Sequence, residues 1–78
     1  DNVIVFTEVK YRKNEEMGTT AEAVNHWKQQ HIIRAAKAYM AQNCLVEEGY
    51  DFRFDVAEVL NNDGKTYFRY TEDAFQIN

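Results

Sequence analysis

The chain opens on an almost unbroken apolar, β-branched run, Val3-Ile4-Val5-Phe6-Thr7-Glu8-Val9-Lys10-Tyr11. This predicts a strand over residues 3–11 that lies inside a sheet covered on both faces. Strand side chains alternate, so Glu8 and Lys10 project to the side of Ile4 and Phe6, and Val9 to the other. Residues 13–18 are polar and predict a mobile loop. Thr19 has Glu22 three residues later, the spacing of a capping box, and from Thr19 or Thr20 to about Asn43 nothing breaks a helix. At about 100° per residue, Ala21, Val24, Ile32, Ile33, Ala35, Ala36, Tyr39 and Met40 share one broad arc, opposite Gln30, Arg34, Lys37 and Ala41. Residues 47–51 read as a loop. Residues 52–60 alternate again, Phe52, Phe54, Val56 and Leu60 against Arg53, Asp55, Ala57 and Val59. Asp63-Gly64 tolerates the positive φ angles of a tight hairpin, so residues 66–70 form the returning strand. Phe75 and Ile77 are then expected to pack against the sheet.

This order predicts an α/β architecture, a mixed sheet of about three strands with one long helix. The intervening helix makes the first two strands a parallel pair through a right-handed crossover, and the hairpin adds an antiparallel strand at the edge. One helix leaves a face of the sheet uncovered unless more chain or a second copy covers it. An unpaired edge also recruits partners, so homo-oligomers are expected, including ones formed by exchange of strands.

Seventy-eight residues suffice for a single domain, residues 1–78. The first residue is Asp, not Met, which suggests a fragment of something longer. No run approaches the roughly twenty apolar residues of a membrane span, and the start lacks the features of a signal peptide, so no membrane partner is expected. A lone Cys44 and the lack of zinc-ligand spacing favour a reducing cytoplasm. The net charge of −4 argues against a general polyanion binder, yet it is unevenly spread. Residues 1–40 carry six basic against five acidic residues and residues 41–78 three against eight, so any nucleic-acid face belongs to the first half.

Two charges at the end of an apolar strand require an explanation, because burying either one alone costs several kcal/mol. In the plainer reading the strand runs out into solvent and Glu8 and Lys10 form an edge ion pair of little energetic weight. In the sharper reading Glu8 is a ligand for a divalent cation, and Lys10 orients the attacking water or offsets charge on a phosphate. Lys28 falls within the apolar arc of the helix. It either runs its methylenes along the core or brings its amine to the cleft of Glu8 and Lys10. His26 and His31 lie off the middle of that arc and read as boundary residues, with no third ligand in view.

Val5-Phe6-Thr7-Glu8-Val9-Lys10-Tyr11-Arg12, Gly18, Ala21-Glu22-Ala23-Val24, Lys28, Ala35-Ala36 with Tyr39-Met40, Arg53-Phe54-Asp55-Val56 and Asp73-Ala74-Phe75 follow one another in an order and spacing that resemble the YraN family of small bacterial proteins. Members of that family look like nucleases of the PD-(D/E)XK type, similar in fold to archaeal Holliday-junction resolvases and restriction endonucleases. The resemblance implies a three-layer, restriction-endonuclease-like αβββαβ core, here without its N-terminal helix and first strands. It implies that Glu8 binds Mg²⁺ or Mn²⁺ in the intact parent, that Lys10 is the motif lysine and that Lys28 faces the cleft, the three forming the catalytic set. Lys10, Arg12, Lys13, Lys28 and Arg34 would touch the phosphates of structured or branched DNA. The second metal-binding carboxylate, an Asp in a Gly-Glu-x-Asp-like segment, would precede Asp1, so this chain alone is expected to be inactive. The alternative is a non-catalytic protein-binding or assembly module on a nuclease-like scaffold.

Overall fold

The computed structural model describes residues 2–13 and 24–77. The first apolar run forms β1, Val3–Lys13, whose even-numbered residues Ile4, Phe6 and Glu8 are less exposed than their odd-numbered neighbours. The alternation is that of a strand covered on one side. β1 pairs in parallel with β2, Asp51–Asn62, and β2 pairs antiparallel with β3, Lys65–Phe75, giving the sheet order β1-β2-β3. The mixed three-stranded sheet expected from the sequence is therefore present, with β1 and β3 as its edges. The expectation that β1 is a strand covered on both faces is corrected: Val5, Val9 and Tyr11 on its second face are exposed. The described residues make two layers.

Helix α1, His26–Gln42, lies on the other face. It starts later than the Thr19 spacing suggested, and that capping box lies outside the described residues. Asn25 is the cap: its backbone is extended, and its side-chain oxygen accepts the Lys28 backbone N–H at 2.9 Å. Val24, expected within the helix, is buried just before it. At the far end, Cys44 adopts a left-handed backbone with φ of 56°. Its N–H donates to Ala41 O at 3.2 Å, and that of Leu45 to Met40 O at 3.0 Å, closing a Schellman motif.

Ile33, Ala36 and Met40 are the buried face of α1, while Ala35 and Tyr39 of the predicted arc remain exposed. Beneath them Phe6, Phe54 and Phe75 stack in series, with ring centroids 5.9 Å apart for Phe6 and Phe54 and 5.0 Å for Phe54 and Phe75. Val56 completes this core and is fully buried. Residue 75 belongs to β3, which is longer than the expected 66–70 strand, and Ile77 beyond it is exposed.

Asp63 and Gly64 both have positive φ, 52° and 76°, and join β2 to β3 through a two-residue turn. The pairing runs regularly from Asn62 and Lys65 to Val56 and Thr71, then shifts, so that Phe54 faces Phe75. Asp73, at φ 52°, sits in this bulge. Asp55, fully buried, fixes the bulge by accepting the Asp73 N–H at 2.9 Å. It also accepts both Arg53 Nε and Nη2 at 2.9 Å, and the Tyr70 hydroxyl. The bidentate Arg53 contact, reinforced by Tyr70 and the Asp73 amide, holds the Asp55 carboxyl well below the usual carboxylate range despite its burial.

Candidate functional site

Glu8 and Lys10 stand on the α1 side of β1 because the alternation that buries Ile4 and Phe6 continues to the strand end. β1 outruns the helix: eleven residues of strand extend about 36 Å, whereas seventeen residues of helix extend about 25 Å. The Asn25 cap places Lys28 in the first turn, beside Glu8, with Lys28 Nζ 3.9 Å from Glu8 Oε2. At that distance, with both side chains partly exposed, the pair holds neither group strongly. Glu8, Lys10, Asn25, Trp27 and Lys28 line one cavity of about 230 Å³. Lys10 joins no ion pair among the described residues.

The structure thus brings Glu8, Lys10 and Lys28 together and treats the other basic candidates differently. Arg12 lies on the same face but turns inward to Glu58, Nη2 to Oε1 3.7 Å. Lys13 is exposed and, by strand alternation, projects to the opposite side. Arg34 is exposed six residues along α1, about 9 Å from Lys28 along the axis, and lines none of the cavities that Glu8 lines. His26 and His31 are both exposed, and His31 stacks on Trp27 with ring centroids 5.6 Å apart.

A divalent cation needs several oxygen ligands. Among the described residues no three His, Cys, Asp or Glu side chains converge, and the cleft offers the single carboxylate of Glu8. That donor set does not by itself fit a magnesium site.

Sequence reasoning passed over one cluster. Glu58 is fully buried on the α1 side of β2, where alternation calls for an apolar residue. Arg69 of β3 donates to both its oxygens, Nε to Oε2 at 2.6 Å and Nη2 to Oε1 at 2.7 Å, and Arg12 approaches from β1. The turn at Asp63-Gly64 contains the signal that locates it. A two-residue turn pairs Asn62 with Lys65, and counting back sets Glu58 opposite Arg69.

The described residues form a two-layer α/β unit in which β1 supplies Glu8 and Lys10, and the first turn of α1 supplies Lys28, to one cleft. The model of Uncharacterised protein family UPF0102 matches residues 2–59. A UPF0102 protein of Clostridium acetobutylicum is 46% identical over 76 residues, 95% of this chain and 61% of the relative. One of Alkaliphilus metalliredigens is 45% identical over 73 residues, 94% of this chain and 61% of the relative. One of Caldicellulosiruptor bescii is 42% identical over 78 residues, 96% of this chain and 64% of the relative. The chain belongs to family UPF0102, the YraN family. It spans about three-fifths of the length of these curated relatives. No solved structure matches it. Among the described residues no helix is long and apolar enough to cross a membrane.

Proposed function

We propose that this chain is the phosphate-engaging part of a nuclease-like domain that acts on structured or branched DNA. The observation that carries this reading is the convergence of Glu8, Lys10 and Lys28 on one solvent-open cavity. The cavity lies over the carboxyl-terminal half of β1, beside the first turn of α1. Lys10 is unpaired among the described residues and Lys28 is only loosely held, so both amines can meet a phosphodiester. Glu8 can orient Lys28 or contribute to a Mg²⁺ or Mn²⁺ site, provided the remaining oxygen ligands come from outside the residues described. The full-length family members, which are longer than this chain, could supply them. Catalysis is assigned to the longer protein, and this chain alone is expected to bind without cutting.

The test uses a full-length UPF0102 protein carrying the substitution equivalent to Glu8→Gln. Metal-dependent cleavage of a four-way DNA junction should be abolished while the melting temperature stays unchanged. Cleavage at the unaltered rate would end this assignment.

A second reading, a non-catalytic assembly module, is favoured by the exposed second face of the sheet. Val9, Tyr11, Phe68 and Tyr70 lie there in adjacent rows, and Phe68 is 77% exposed. Nanomolar DNA binding at physiological salt by the purified chain would count against it.

A further inference from the structure

We propose that Trp27 is a stacking platform for an unpaired nucleobase, set beside the amines of Lys10 and Lys28 so that one DNA strand lays its phosphate in the cleft and its base on the indole. The inference rests on the nucleic-acid reading above and deepens it, naming unpaired bases as the feature of structured DNA that this site selects.

Trp27 follows the Asn25 cap by two residues and is 74% exposed. A single exposed apolar side chain is ordinary by itself. This one, however, lines the same cavity of about 230 Å³ as Glu8, Lys10 and Lys28, so the indole stands in the wall of the site that holds both amines. It is also held in place: His31, one helical turn on, stacks on it with ring centroids 5.6 Å apart and planes 9° from parallel. His31 in turn lines a second cavity of about 530 Å³ to which Glu8 and Lys28 also contribute, so the two rings flank the site along α1. An aromatic ring oriented before its ligand arrives loses less freedom when a second ring stacks on it.

Inside a duplex each base is stacked between its neighbours and offers no free face. A base in a single-stranded overhang or at a branch swings out onto an aromatic side chain at little unstacking cost. The phosphate next to that base then meets Lys28, the residue adjacent to Trp27, or Lys10 across the cavity. Every base has a π face, so the contact selects for an unpaired base and not for its identity.

Trp27 is the sole tryptophan of the chain, so its emission reports on this position alone. The test titrates the chain at low salt with a fluorescein-labelled blunt DNA duplex and with the same duplex carrying a single-stranded thymidine overhang. Affinity is read by anisotropy, and tryptophan emission is followed with unlabelled versions of both probes. The overhang probe should bind more tightly and quench the emission. Trp27→Ala should weaken its binding by roughly 5- to 150-fold, the range for one stacked base, and leave blunt-duplex binding unchanged, whereas Trp27→Phe should retain most of the affinity. The position is exposed and alanine favours a helix, so the variant should keep the circular dichroism of the wild type. No preference for the overhang, an unchanged affinity in Trp27→Ala, or an equal loss on both probes would overturn the platform. The nucleic-acid reading would survive that result if Lys28→Gln still weakened binding of both probes. No binding of either probe by the wild-type chain would end both.

Discussion

Asp55→Asn removes the charge on which the bulge of β3 is built. Asp55 is fully buried and receives four hydrogen bonds, two from Arg53 and one each from Tyr70 and the Asp73 amide. Asparagine keeps the shape but offers an amide group where a donor already points, leaving the Arg53 guanidinium facing a neutral and partly mismatched partner. Arg53 keeps about a third of its side chain in solvent, so losing the charged partner costs less than in a wholly buried pair, roughly 1.5–3 kcal/mol. A chain of this length has a total stability of roughly 4–12 kcal/mol, so the loss is a large fraction of it. With a urea m-value of about 1 kcal/mol per molar, the unfolding midpoint followed by circular dichroism should fall by roughly 1.5–3 M. The Asp73 amide should exchange faster in the same variant. A midpoint moved by less than about 0.5 M would refute the view that this carboxylate pins the bulge. The acid limb supplies a second measure of the same bond. Because folding depresses the Asp55 pKa, its stabilisation is complete above the ordinary carboxylate range, near 3.9 in the unfolded chain. It is lost as pH falls below that range toward the folded value, so wild-type stability should fall on acidification there and the Asp55→Asn variant should show a flatter limb.

Cys44 is a non-glycine residue at the left-handed position that closes α1, so Cys44→Gly should raise stability by about 1 kcal/mol in urea titration, and a loss would contradict the strain inferred there. The exposed sheet face of Val9, Tyr11, Phe68 and Tyr70 should drive self-association, seen in sedimentation as a concentration-dependent dimer. Phe68→Glu should return the chain to a monomer, and a wild-type monomer at high concentration would refute the role of this face.

Much of the fold was legible because local rules and tertiary demands agree. The alternation in β1 and the Asp63-Gly64 turn are both present, and the helix ends at Asn43 as its composition suggests. The start of α1 was obscured by two competing caps, Thr19 with its Glu22 and Asn25 within an apparently helical run, and only Asn25 lies among the described residues. The bulge at Asp73 has no local signature. It follows from a carboxylate eighteen positions earlier in sequence, Asp55, reaching a backbone amide. Of the site, Glu8, Lys10 and Lys28 were visible because each violates an apolar pattern. Glu58 violates one as well, but its meaning depends on Arg69 across a hairpin, and a strand read by itself shows only an anomalous acid.

β1 ends the sheet with one backbone side unpaired by the described strands, and charge is unevenly distributed along it. Residues 3–7 are uncharged, whereas Glu8, Lys10, Arg12 and Lys13 crowd the remainder. A foreign strand adding to this border would find a welcoming stretch of only about 17 Å before meeting ammonium and guanidinium groups. The basic side chains that the proposed function assigns to a nucleic-acid backbone would then also act as gatekeepers against runaway cross-β stacking. Stripping them of charge to probe ligand contacts would remove that restraint, and turbidity in such mutants would report lost solubility as well as lost affinity.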